Sequence, residues 1–216
     1  KIGVPIALQD GFIQISFIII TIIANQRGLN DAAAVGIVEK IMSFLFLVPS
    51  SMLSTVSALG AQNIGANKPE RAVRTLFYAA MIAVGFGAAV IVLVQFLAEP
   101  AVALFTDASS QSGAQVVRLG GQYIKGYIWD CLFAGIHFSF SGYFCACGKS
   151  GLSFMHNLFA IVLVRVPGVY LTSKFFADTL LPMGLATAAG SLLSVMICVI
   201  AFTVLRKKQK IVLAGG

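Results

Sequence analysis

The sequence predicts an all-α membrane protein, a bundle of six transmembrane helices. Three observations predict it. The apolar set AVILMFWYC makes up 58% of the 216 residues. Charged residues fall to 11%, against about a quarter in a soluble domain, and the mean hydropathy is +0.93. The apolar residues are gathered into long blocks, and the joints between blocks are made of turn and breaker residues. A soluble enzyme with a charged shell is excluded, and so is disorder, because this chain has ample apolar surface to bury.

The six runs are Val4–Ala24, Ala32–Leu59, Val73–Leu97, Gln122–Cys147, Leu152–Phe176 and Met183–Leu205. Each exceeds the roughly 20 residues that an α-helix needs to cross a hydrocarbon core of about 30 Å. Joints such as Asn25-Gln26-Arg27-Gly28-Leu29-Asn30-Asp31 and Cys147-Gly148-Lys149-Ser150-Gly151 read as short loops. A membrane β-barrel would show strictly alternating segments of about ten residues, which these are not. The first run follows Lys1 like a secretory signal, yet it is longer than a signal's apolar region and contains Asp10 and Gln14. With no initial Met, a piece cut from a larger chain is the simpler expectation. In the second run, Pro49 removes a backbone donor and predicts a kink among hydroxyl-bearing neighbours.

Six spans place both ends on one side. Lys1, Lys68, Arg71, Arg74, Lys149, Arg206, Lys207, Lys208 and Lys210 fall on that side, whereas the other holds Arg27 and Lys174, with Arg118 and Lys125 near it. Basic residues concentrate in the cytoplasm, so the expectation is a multi-pass protein of the cell membrane with both ends cytoplasmic. The net charge of +7 then belongs to the cytoplasmic side of a lipid-embedded protein, and no nucleic-acid partner is expected. Cys131, Cys145, Cys147 and Cys198 lie inside spans, lack zinc spacing and read as packing residues. Gly148-Lys149-Ser150 ends like a phosphate-binding loop, but the glycine required five positions earlier is Tyr143. No metal site or cofactor is expected.

Ionisable groups inside spans carry the functional information, because a charge in hydrocarbon is costly and usually faces a bundle interior or a wet cavity. The acids are Asp10, Glu39 and Asp130; Lys40 and Arg165 are the bases. Asp130 lies near the expected membrane midplane, on a helical stripe with Tyr127, Ala134, His137 and Ser141. It reads as a functional carboxylate or as a buried one satisfied by a Lys, an Arg or backbone groups of another helix. His137 reads as a hydrogen-bonded core residue or a proton partner. Asp10 shares a face with Gln14, Phe17 and Thr21, and Glu39 heads a stripe through Ser43, Phe46, Ser50 and Ser54. Lys40 is expected to reach outward from that depth.

The loop after the second run, Gly60-Ala61-Gln62-Asn63-Ile64-Gly65-Ala66-Asn67-Lys68-Pro69-Glu70-Arg71-Ala72, resembles the signature at the same place in the C-terminal half of multidrug and toxic compound extrusion (MATE) transporters. Gly65 suits a helix end, Pro69 the first position of the next helix and Glu70 its first turn. Gly3-Val4-Pro5-Ile6-Ala7-Leu8-Gln9, Gly142-Tyr143-Phe144 with Gly148-Lys149-Ser150, and Arg165-Val166-Pro167 resemble the family in the same order. The resemblance implies one six-helix lobe of a twelve-helix transporter, whose partners are membrane lipid and an N-terminal six-helix lobe of the same polypeptide. It implies a cation-coupled antiporter, not an enzyme, that expels cationic amphiphilic drugs in exchange for Na+ or H+. Asp130 matches the position where members place an acid for cation coupling. Some members carry a Glu eight residues after the opening Pro; that position is Ile13 here, and the nearby acid is Asp10. The expected ion- and substrate-binding residues are thus Asp130, Asp10, Glu39, Gln14, Tyr127 and His137, with Phe133, Phe138 and Met42 as apolar surface for the drug. A lipid or lipid-linked-sugar flippase, which needs a basic cavity for phosphate, and a non-transporting scaffold are the competing expectations.

Overall fold

A computed structural model describes the backbone of residues 3–214 and the side chains of 6–207. Lys1 and the side chains of Lys208 and Lys210, counted above toward the basic side, lie outside those described. The described residues are helical, without strands, and form six rods. The first is α1 (Gly3–Asn25); the second is α2 (Leu29–Leu45) followed by α3 (Leu47–Gly65). The third is α4 (Pro69–Ala103), and the fourth is α5 (Gln111–Tyr127) followed by α6 (Trp129–Ala146). The fifth runs from α7 (Ser150–Ala160) through a π-helical turn (Ile161–Arg165) into α8 (Val166–Phe175), and the sixth is α9 (Leu181–Ala214).

Each rod is centred where an apolar run stood, and the differences have local causes. The second run breaks at Phe46 rather than at Pro49 itself, because Pro49 cannot donate to the Leu45 carbonyl one turn earlier. The flanking bonds survive: Phe46 N donates to Met42 O at 2.8 Å and Ser50 N to Phe46 O at 2.9 Å, so the chain bends without leaving the rod. The fourth rod begins well before Gln122. Its first half carries Gln111, Ser112, Gln115 and Arg118 on one side and buries Val116, Leu119, Gly120, Tyr123 and Ile124 on the other. That amphipathic half escapes a search for unbroken apolarity. Correspondingly, the other five rods are each long and apolar enough to cross a membrane, whereas α5–α6 is not.

The connections follow from turn chemistry. Asn67 and Gly148 take left-handed backbone angles, φ 59° and 69°. In both turns the next amide reaches back into the finished helix, Lys68 N to Asn63 O at 2.8 Å and Lys149 N to Phe144 O at 2.7 Å. α3 thus ends at Gly65, as expected, and Asn67 carries the left-handed cap. Pro69 opens α4 with Glu70 in the first turn, as expected. Glu70 meets Arg206 at 3.0 Å, which ties the start of α4 to α9. At the opposite end of the bundle, Arg27 donates to the carbonyls of Ser173, Phe176, Ala177 and Thr179 and pairs with Asp31 at 2.6 Å. It closes the carbonyl-rich end of α8.

Between helices in lipid, close backbone packing replaces the hydrophobic drive. Gly126 of α5 meets Gly184 of α9 so closely that a Cβ at Gly126 would stand 2.5 Å from the Leu181 carbonyl oxygen. One core joins α1, α2, α4, α5, α6, α8 and α9 around Met42, Tyr123, Tyr127 and Met183; a smaller one joins α3, α4, α6 and α9 around Phe140, Tyr143 and Phe144. Large apolar residues such as Phe77, Met81, Leu93 and Phe96 on α4 are exposed, as a lipid-facing surface requires.

Candidate functional site

The helices leave a cleft of about 690 Å³ between α1, α2, α6 and the fifth rod. All six residues singled out in the sequence border it: Asp10 and Gln14 from α1, Glu39 from α2, Tyr127 from the end of α5, and Asp130 and His137 from α6. Met42, Phe17, Phe46 and Phe138 supply apolar wall, while Phe133 is not among the lining residues. Ser43 and Ser50 of the Glu39 stripe reach the cleft, and Ser54 does not. The break at Phe46 lets residues on both sides of it, Met42 and Ser50, face the same space.

Asp130 has a partner. Its Oδ2 accepts from Arg165 Nη2 at 2.6 Å, and the two residues are only 1% and 7% exposed. The pairing with an arginine of another helix, one of the two readings of Asp130, is thus present, and the pair stands in the cleft wall. Asp130 Oδ1 and Arg165 Nε have no hydrogen-bond partner among the described residues, and Ser191 of α9 stands beside the carboxylate.

The backbone explains how Arg165 arrives. Val166 N donates to Ile161 O, five residues back, and Pro167 follows with no N–H to restore the α register. Gly190 of α9 accommodates the Arg165 Cβ, against which its own would stand at 2.8 Å. The guanidinium then lies over the Phe17 ring, 5.3 Å from its centroid. The sequence shows Arg165 as an intramembrane base beside a proline; which acid it meets depends on the π-helical turn.

Glu39 is differently placed. Its carboxylate accepts from Thr21 Oγ1 at 3.3 and 3.5 Å, with no base among the described residues within salt-bridge distance. Asp10 is exposed at the cleft margin. Lys40, expected to reach away, is exposed and borders the cleft. With Asp10, Glu39 and Asp130 against Lys40 and Arg165, the lining carries three formal negative and two positive charges, a net of −1. Metal-type clusters of three or more His, Cys, Asp or Glu do not occur among the described residues.

Behind the cleft lies a polar cluster that the stripes only partly disclose. His156 of α7 contacts Ser141 Oγ through Nε2 at 2.7 Å and Ser194 Oγ through Nδ1 at 2.5 Å. Ser141 belongs to the Asp130 stripe but turns toward His156 rather than into the cleft. Ser153 donates to Gln9 at 2.6 Å. The sequence signal that could have found His156 is the run Ser150, Ser153, His156 and Asn157, a buried polar face on an otherwise apolar helix.

The same architecture occurs in solved transporters. A MATE protein in complex with MaL6 superposes with a TM-score of 0.85 at 16% identity, covering 95% of this chain and 46% of that one. The outward-facing conformation of a multidrug resistance MATE family transporter of the MOP superfamily gives 0.83 at 16% identity, with the same coverage. In sequence, the probable multidrug resistance protein YoeA of Bacillus subtilis (strain 168) is 22% identical over 211 residues, 98% of this chain and 44% of that protein. The chain therefore spans about half the length of the curated relative it matches. The MatE family pattern matches residues 5–171, from the opening of α1 into α8. That match takes in Asp10, Glu39, Asp130 and Arg165 together with three of the sequence motifs and the opening motif from Pro5 onward, and the chain belongs to the MatE family.

Proposed function

We propose that this chain is one lobe of a cation-coupled antiporter that exports cationic amphiphilic compounds by alternating access, working with an N-terminal six-helix lobe of the same polypeptide. One observation carries the reading: three intramembrane acids from separate helices border one cleft whose net charge is negative and whose wall is aromatic. A cationic ring system fits that surface, its charge toward Glu39 and Asp10 and its body against Phe17, Phe46 and Phe138. Bound Na+ or H+ at these carboxylates neutralises the charge that the drug needs. Each ligand then lowers the affinity for the other, and the lobes rock between states that favour one or the other.

Of the two interior carboxylates, Glu39, held by a hydroxyl and by no base among the described residues, is more open to an incoming cation than Asp130; Asp10 stands exposed at the margin. Asp130 enters the exchange by releasing Arg165. A phosphate-bearing lipid, by contrast, needs a basic cleft, whereas here the guanidinium is taken by Asp130 and the exposed Lys40 is outnumbered by Glu39 and Asp10. The test is ethidium efflux from cells carrying the full-length protein. Glu39→Gln, which keeps the Thr21 bond, should reduce efflux about tenfold or more at equal abundance, a loss near 1.4 kcal/mol. Wild-type efflux in Glu39→Gln and also in Asp130→Asn would remove the carboxylates from the mechanism. Proteoliposomes under an imposed sodium or pH gradient identify the coupling ion.

A further inference from the structure

Several buried polar atoms cluster on the α7–α9 side of the cleft. Gln9 Nε2, His137 Nδ1 and Asn157 Nδ2 have no hydrogen-bond partner among the described residues, though these residues are 0%, 3% and 6% exposed. Buried polar groups in native proteins are satisfied almost without exception, and small polar groups in such a place bind water. Next to them the His156 ring is held at both nitrogens by hydroxyls, and the His137 ring centroid lies 5.6 Å from that of His156. His137 and Asn157 border the cleft, whereas His156, Ser141, Ser194, Ser153 and Gln9 are not among its lining residues.

We propose that His156, with Ser141 and Ser194, is a proton relay between the end of the bundle that carries Lys149 and Arg206 and the carboxylates of the cleft. This inference rests on the antiport reading and assigns its coupling ion. His156 lies six residues into α7 and Gln9 six residues into α1, so both sit about 9 Å from that end at 1.5 Å per residue. A neutral imidazole has one donor and one acceptor nitrogen, and a hydroxyl is both. A proton delivered through Ser141 Oγ is taken up at Nε2; the Nδ1 proton leaves to Ser194 Oγ, whose own proton passes onward. The ring returns to neutral with its tautomer exchanged and carries no lasting charge in the apolar interior. Ser191, one turn back on α9, stands beside Asp130, and a water bridging the two serines completes the path to the unpartnered Oδ1. The titratable groups around the relay are His137, Asp130 and Cys145 from α6, Arg165 from the π-helical turn and Asp10 from α1; α9 brings the hydroxyls of Ser191 and Ser194.

The test uses the full-length protein in proteoliposomes with ethidium as the transported probe. Exchange is driven by a pH gradient, by a sodium gradient, or by ethidium itself at symmetric pH. His156→Asn can keep the Ser194 bond at the place of Nδ1 but has no atom at Nε2 for Ser141 and cannot shuttle a proton; Ser194→Ala interrupts the path and leaves the ring. The expectation is that each variant lowers pH-driven exchange about tenfold or more and leaves ethidium–ethidium counterflow at the wild-type rate, with a flattened pH profile. Where His156→Asn fails to reach the membrane, Ser194→Ala and Ser141→Ala decide. Wild-type pH-driven exchange in the variants, or an equal fall in counterflow, overturns the relay. Exchange that follows the sodium gradient alone also overturns it while leaving antiport intact. Wild-type protein that moves no ethidium under any condition fails the antiport reading and the relay together.

Discussion

Removing either member of the Asp130–Arg165 pair leaves the other charged and buried, whereas removing both leaves a neutral gap. The carboxylate is 1% and the arginine 7% exposed, at 2.6 Å. Breaking such a pair from one side costs about 3–5 kcal/mol, and replacing both members by apolar groups of similar volume is close to neutral. Asp130→Asn should fall at the lower figure, about 3 kcal/mol, because the amide oxygen still accepts from the guanidinium and Glu39 lies in the same cleft. Arg165→Met should cost as much, since Asp130 then loses its strongest donor. The double variant should recover most of both losses, a coupling of about 5 kcal/mol in a double-mutant cycle. Thermal unfolding of the purified full-length protein in detergent reads the stabilities, and ethidium efflux is measured on the same variants at matched abundance. Additive losses would refute the pair. A double variant that regains stability and also wild-type efflux would reduce Asp130 to a structural role. Regained stability without efflux is the expected result.

Arg27→Ala should destabilise the end of the bundle opposite Lys149 by about 3 kcal/mol in the same unfolding assay, because a charged fork satisfying several carbonyls is lost; Arg27→Lys, which cannot fork, should recover only part. Gly184→Ala should lower stability by about 1–3 kcal/mol, since its methyl meets the Tyr123 carbonyl and forces α5 and α9 apart. Asp107, in the loop between α4 and α5, accepts from both the amide and the hydroxyl of Ser109, which hold its carboxyl below its usual value of 3.8. A lowered value means the turn is stabilised above pH 3.8 and loses that stabilisation as pH falls through the lowered value, so hydrogen exchange at the Ser109 amide should gain protection from the turn above that range and lose it below.

Much of the architecture is legible because lipid makes apolarity continuous. Val73–Leu97 and Met183–Leu205 could only be helices, and the structure lengthens both toward their polar ends. The first half of α5 is the part that hydropathy hides: Tyr123 and Leu119 are buried while Arg118 and Gln115 are exposed, and average hydropathy sees neither face. The three acids and His137 were legible as a set because each is individually costly in a span. Their pairing was not. Whether Arg165 meets Asp130 or Glu39 depends on a five-residue π-helical turn, and no residue pattern short of Pro167 signals that change of register. His156 was missed for a related reason: its partners Ser141 and Ser194 lie on two other helices, and hydroxyls are too common in helices to point at one another.

The pair also changes what a net charge of −1 means for the proposed exchange. Arg165 and Asp130 cancel within 2.6 Å, so at a distance the cleft presents Glu39 and Asp10 against the exposed Lys40. An entering cation is therefore drawn first to Glu39, which has only Thr21 to leave. Asp130 can receive a second cation at Oδ2 only as Arg165 lets go, whereas Oδ1, without a hydrogen-bond partner among the described residues, is where a proton can reach it. The guanidinium then has Glu39 across the same cleft and the Phe17 face below it. In the proposed exchange, three positive groups, the arginine, the coupling ion and the drug, compete for the two interior carboxylates, buried Asp130 and half-buried Glu39, while Asp10 stands exposed at the margin. Because the arginine stays in the wall, at most one of those two is open to a soluble cation while it pairs with the other. Mutual exclusion of drug and coupling ion at the interior pair follows from that count, without requiring that the two ligands touch the same atom.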